Sequence, residues 1–194
     1  MGLKLITAPD EEPLFVDDVK AHCRINGDDD DQLIESMITA ARQMAETQTK
    51  RALITQTWDL YLDKFPCDYA YSIILPKPTL QSVTYLKYID TDGVLQTLSA
   101  DNYKVDNVTE PARIVPAYGY SWPSTRDEIN AVVIRFVCGY GDDEESVPSA
   151  IKDWMKIKIS TMYEYRDEFI SGTIIQPLPN RFVDSMLDNY IVYM

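Results

Sequence analysis

The hydrophobic period of this chain changes twice, and a chain with that pattern is restricted to helices at both flanks and a sheet between them. Up to about residue 52 the apolar positions recur at helical spacing. Pro13 opens a segment carrying Val16, Val19 and Ile25, which Asn26-Gly27 is expected to stop. After Asp28–Asp31 comes a longer stripe of Leu33, Ile34, Met37, Ile38, Ala41, Met44 and Ala45, the signature of an amphipathic helix. Lys50 and Arg51 close it, matching the negative end of the helix dipole.

From about Leu53 to Tyr140 the period becomes two. Ile54, Gln56, Trp58, Leu60 and Leu62 fall on one face, and Thr55, Thr57, Asp59, Tyr61 and Asp63 on the other. Further strands are expected at Tyr71–Leu75, Ser82–Asp90, Val94–Leu98, Tyr103–Asp106, Arg113–Val115 and Ala131–Cys138. Thr91-Asp92-Gly93 predicts a hairpin with a type I′ turn, and Pro66, Pro76, Pro78, Pro111, Pro116 and Pro123 are placed between strands. Helical spacing then returns with Ile151, Trp154, Met155, Ile159, Met162 and Tyr163. A terminal helix over about Arg181–Tyr193 would carry Phe182, Val183, Met186, Leu187, Tyr190 and Ile191. The expected fold class is α+β: residues 1–52 and 141–194 form one helical body, and residues 53–140 form an antiparallel β-rich domain inserted into it.

Charge narrows the partners. Eighteen Lys and Arg stand against 31 Asp and Glu, a net charge of −13. A surface that grips phosphate backbones needs clustered cations, and an anionic membrane surface needs them too. No apolar run reaches the roughly 18 residues of a membrane span, and the opening residues Met1–Thr7 lack a signal peptide's apolar region. Cys23, Cys67 and Cys138 are odd in number and widely spaced, the usage of a reducing compartment such as a cytoplasm.

No catalytic constellation stands out. The single histidine, His22, is adjacent to Cys23, but sequence neighbours on a helix diverge by about 100° and do not form a dyad. Asp28–Asp31 lacks the order of a calcium loop, because Gly27 precedes the acids; capping of the helix that follows accounts for it. Asp142, Asp143, Glu144 and Glu145 read as a solvated loop leading into a helix. Gly139-Tyr140-Gly141 lacks the spacing of a phosphate loop, and no Cys/His pair has zinc-ligand spacing. No cofactor and no metal is expected. What remains is interface material: Trp58, Tyr61, Tyr85, Tyr88, Tyr118, Tyr120 and Trp122 in the β-region, with Phe182, Met186 and Tyr190 near the end of the chain. Strands also favour Tyr for packing alone.

The order of these segments resembles the head–tail connector (adaptor) proteins of tailed bacteriophages. Glu12-Pro13 with Val19-Lys20-Ala21-His22-Cys23-Arg24-Ile25 is similar to that family's first helix. Asp30-Asp31-Gln32-Leu33-Ile34 with Ala40-Ala41-Arg42 and Ala45-Glu46 is similar to its second. Arg51-Ala52-Leu53-Ile54-Thr55-Gln56-Thr57-Trp58 resembles its entry into the β-region. Leu75-Pro76-Lys77-Pro78, Pro116-Ala117-Tyr118-Gly119-Tyr120-Ser121-Trp122-Pro123 and Val133–Gly141 continue the likeness in order, and Val147–Lys152 ends it. Phe15 and Cys23 depart from the pattern, where the family has a Ser or Thr cap and a Leu.

The resemblance implies a non-enzymatic virion protein of the head–tail junction, assembled in the host cytoplasm. It implies a homo-oligomeric ring, usually twelve-fold, with the portal protein above and a stopper or tail-completion protein below. Such a ring extends the channel through which DNA is packaged, and DNA passes without specific binding. The acidic runs Asp28, Asp29, Asp30, Asp31 and Asp142, Asp143, Glu144, Glu145 are expected at the lumen or its rim, where like charge repels phosphate. Two other readings stay open: another phage or secretion-type tube or ring component, and a metal-dependent enzyme built on the two acidic runs.

Overall fold

The computed structural model describes residues 1–66, 71–165 and 183–193. The chain divides into two compact units: residues 1–9 with 55–140, and residues 10–54 with 141–193. Helices and antiparallel sheets occur together, as the α+β reading requires.

The helical unit contains α1 (Val16–Cys23), α2 (Asp31–Thr49) and α3 (Ser149–Glu164). Helix α3 packs on both α1 and α2, burying Ile151, Trp154, Met155 and Ile159 against Val19, Ile34, Ile38, Ala41 and Ala45. The stripe read for α2 is partly corrected. Met44 is 40% exposed, while Arg42, Glu46 and Thr49 are buried instead. The reason is polar: Arg42 and Glu46 bond each other and further groups inside the unit, so burial leaves their charges satisfied. Helix α1 ends at Cys23, four residues before Gly27, because Arg24 takes the left-handed conformation (φ 57°) and its N–H bonds the Lys20 carbonyl. Within the described part of the predicted terminal helix, Ser185–Tyr190 form a 3₁₀ helix, which buries Leu187 and packs on α2 and α3; Arg181 and Phe182 lie outside the described residues.

The β-rich unit holds a five-stranded antiparallel sheet in the order β1-β2-β8-β4-β5. Its strands are β1 (Gly2–Thr7), β2 (Gln56–Leu62), β4 (Leu80–Ile89), β5 (Leu95–Thr97) and β8 (Val132–Cys138). A second sheet has the order β3-β7-β6, from β3 (Ile73–Ile74), β6 (Tyr103–Asp106) and β7 (Arg113–Pro116). Central strand β8 alternates strictly: Val132, Ile134, Phe136 and Cys138 are buried, while Val133, Arg135 and Val137 stay half-exposed. Leu60, Leu86, Ile73, Leu75 and Ile114 add to the buried set from both sheets.

Three expectations change here. Residues 2–7 form edge strand β1 rather than part of a helical flank. All six are exposed, so no buried face imposes a period. The Thr91-Asp92-Gly93 turn is not type I′, since Gly93 alone has positive φ (83°). The Asp90 carboxylate instead accepts the N–H groups of Asp92 and Val94 at 3.0 and 2.9 Å, and the Asp90 carbonyl accepts that of Gly93. Pro116 is the last residue of β7 rather than a linker, paired with Tyr103 where β3 no longer reaches.

Candidate interaction surfaces

The acids after α1 are tied into the helical unit. Lys20 bonds Asp28 at 2.7 Å and Asp31 at 2.9 Å. The Lys20 bond holds the Asp28 carboxyl below its ordinary value of 3.8, and the same two carboxylates, Asp28 first, raise the Lys20 ammonium. The capping explanation of this run is corrected in part: Asp31 stands in the first turn of α2 as expected, but Asp30, the N-cap residue, makes no capping bond with its side chain. Asp30 accepts the Tyr163 hydroxyl at 2.5 Å instead, which joins the start of α2 to the last turn of α3. Asp29 is exposed.

The second run does contain a cap. Asp143 accepts the Ser146 hydroxyl at 2.7 Å and the Ser146 N–H at 3.1 Å, closing a 3₁₀ turn over Glu144–Ser146. Those two bonds hold its carboxyl below the ordinary value. Asp142 and Glu145 are exposed and Glu144 half-exposed. Among the described residues no group of three His, Cys, Asp or Glu side chains is arranged to hold a metal ion. Among them also, no helix is long and apolar enough to cross a membrane. His22 is exposed and Cys23 half-buried.

The aromatic set divides by environment. Trp122 stacks on Phe65 (centroids 4.9 Å apart, planes 6° apart), and Tyr88 meets the same ring edge-on at 5.7 Å. The Trp122 indole N–H also donates to the Tyr71 carbonyl at 3.0 Å. Trp58 donates to Gln56 at 3.1 Å and lies under the Lys77 ammonium. Tyr61 and Tyr85 lie on the opposite face of the large sheet. There Asp59, 2% exposed, receives two bonds of 2.8 Å from Arg135. Burial first, and then the Asp59 charge, push the Tyr61 phenol up. The Asp59 bond in turn raises the Arg135 guanidinium.

Tyr118 and Tyr120 differ from the rest: they are 99% and 56% exposed. The turn carrying them is ordered by the Tyr120 N–H bond to Ala117 (2.9 Å), with Gly119 at φ 83°. Met186 and Tyr190 are half-exposed, and the Tyr190 carbonyl accepts Arg51 Nε at 2.7 Å. Phe182 lies outside the described residues.

Sequence reading missed two ion-pair groups that bury charge, one around Arg42 and one around Asp59. Arg42 is held by Glu12 at 2.7 and 3.2 Å and by Glu46 at 3.3 Å. The i, i+4 spacing of Arg42 and Glu46 beside the apolar stripe was the available signal. For Asp59 and Arg135 there was none, since they lie 76 residues apart and meet only through strand register.

Residues 15–99 match the family described as phage gp6-like head-tail connector protein. No curated protein matches. Among solved structures, the chain is similar to one in the neck of an empty GTA particle computed with C6 symmetry, at 22% identity and TM-score 0.81. It is also similar to one in the virion of a native gene transfer agent (GTA) particle, at 22% and 0.79. A third is in the neck of the native particle computed with C12 symmetry, at 21% and 0.78. Each likeness covers 100% of this chain and 97% of the other. Residues 15–99 thus match the phage gp6-like head-tail connector family, and the chain's fold is similar over its whole length to chains of gene transfer agent particles.

Proposed function

We propose that this chain is a structural subunit of a phage-like head–tail junction that closes into a ring of twelve below the portal. The ring extends the DNA channel and offers its lower rim to a stopper or tail-completion protein. The carrying observation is the agreement between the connector-family match over residues 15–99 and the neck-chain fold over all of the chain. The likeness to a chain of a particle neck computed with C12 symmetry supports the twelve-fold stoichiometry of that reading. The same reading places the protein in the virion and assigns it scaffolding rather than catalysis.

The charge distribution supports passage of DNA without binding. Among described residues the helical unit has 19 Asp and Glu against 8 Lys and Arg, a net −11, whereas the β-rich unit has 9 against 8, a net −1. An acidic wall at the lumen repels phosphate over about 10 Å at 0.1 M salt. Of the two acidic runs placed at the lumen or rim, Asp142–Glu145 keeps more of its charge exposed, because Lys20 offsets part of Asp28–Asp31. Tyr118 and Tyr120 are the contact residues in this proposal, since an ordered turn presents them to solvent. Electron microscopy of the purified protein, alone and with the portal, tests the proposal: closed rings support it. Particles that never close in either preparation refute it.

A further inference from the structure

From the open face of the five-stranded sheet we infer that it is one half of the contact between copies of this chain, and that it receives the acidic helical unit of the next copy. The inference rests on the ring reading above and names its surfaces. Strand register places Lys4, Asp59, Arg135 and Tyr85 in one row across β1, β2, β8 and β4. Lys87 and Tyr61 flank Val133 in the next row on the same face. Contacts agree with the register: the Lys87 ammonium lies 4.4 Å from the Tyr85 ring centre, and the Arg135 guanidinium 5.1 Å from it.

This face is unusual within the chain. Three cations stand there against one carboxylate, Asp59, which Arg135 already neutralises, while the protein as a whole carries −13. Lys4 is exposed, and Lys87, Tyr61, Tyr85 and Val133 are half-exposed. Tyr61, Tyr85 and Arg135 are residue types that interfaces favour, and Lys4 and Lys87 add positive charge at the edges of the patch. The occupant follows from charge complementarity. A closed ring of identical subunits needs two different patches that fit each other. The −11 helical unit is the acidic surface that every additional copy brings. Duplex DNA fits less well: a face with one exposed and one half-exposed lysine around a buried carboxylate offers few phosphate contacts.

The test mixes isotopically light and heavy protein and couples lysines to carboxylates with a zero-length carbodiimide. Mass spectrometry then identifies mixed-isotope pairs. The expected result is coupling of Lys4 or Lys87 to acids in residues 10–54 or 141–193 of another copy, with Lys50 and Lys104 as exposed comparison lysines. Raising salt from about 0.1 M to about 1 M shrinks the screening length from about 10 Å to about 3 Å, and these pairs should be lost with it. The double variant Lys4→Glu, Lys87→Glu should lose ring sedimentation at low salt while its circular dichroism is unchanged. Equal coupling at Lys50 and Lys104, rings that lack Lys4 and Lys87 cross-links, or retention of duplex DNA at low salt would each overturn the inference. So would a chain that stays monomeric without such cross-links. Rings without the cross-links leave the connector reading standing, whereas failure to form rings with or without the portal removes that reading itself.

Discussion

Replacing Glu46 with alanine tests how the helical unit tolerates charge in its interior. The two carboxylate oxygens have separate duties. Oε1 accepts the N–H of fully buried Leu53 at 3.0 Å, and Oε2 accepts from Arg42 at 3.3 Å. Alanine leaves the Leu53 N–H buried without that acceptor, at a cost of about 1–3 kcal/mol. The lost Arg42 contact adds about 1 kcal/mol, held low because Glu12 still grips the guanidinium at 2.7 and 3.2 Å. Glu46→Ala is therefore expected to cost about 2–4 kcal/mol. At about 2–4 °C per kcal/mol for a chain of this size, the midpoint falls by about 4–16 °C. Glu46→Gln keeps an oxygen for Leu53 and should cost about 1–2 kcal/mol less than alanine. Urea unfolding followed by tryptophan fluorescence and circular dichroism measures both variants. Equal losses for alanine and glutamine, or an alanine loss under about 0.5 kcal/mol, would refute the division of labour between the two oxygens.

Other outcomes follow from the same contacts. Trp154→Ala empties the largest fully buried position and removes the indole bond to Asp184 (3.2 Å), so unfolding free energy should fall by about 3–5 kcal/mol. Asp59→Ala strands Arg135 on the sheet, with a loss of about 3 kcal/mol by chemical denaturation; the low end applies because 30% of the Arg135 side chain stays in water. Asp28 and Asp143 have depressed carboxyl values, so their contributions are complete above the ordinary value of 3.8 and disappear as pH falls through the lower folded values. Asp28→Asn and Asp143→Asn should each flatten the acid limb of a stability–pH curve without changing its neutral plateau's slope. Tyr118→Ser should leave the unfolding midpoint within about 0.5 kcal/mol of wild type while weakening assembly measured by sedimentation, because the side chain is almost wholly in solvent.

The legible parts of the fold are those where a buried face imposes a period. Helix α3 shows it most directly, since Ile151, Trp154, Met155 and Ile159 of the predicted stripe are buried, with Met162 and Tyr163 half-buried in its last turn. Strand β8 shows the same for period two. Reading failed where contacts between distant residues replaced periodicity. Met44 fits the α2 stripe by spacing, yet Arg42 and Glu46 occupy the interior because Glu12 and the Leu53 N–H satisfy them. Asp30 has the right residue type for a cap, but Tyr163, 133 residues away, takes its carboxylate. Strand β1 pairs only along one edge and buries neither face, so its six residues carry no period to read. Among the aromatic candidates, Trp122 and Tyr88 serve a cluster around Phe65, a residue the Tyr and Trp pattern did not single out.

Single-particle electron microscopy of the chain bound to a phage-type portal tests the central claim most directly. The account predicts a closed ring beneath the portal, twelve copies around an open channel, with the acidic helical unit at the lumen or its rim. A monomer decorating the portal, an open spiral, or a ring lined instead by the cationic face of the large sheet would contradict it.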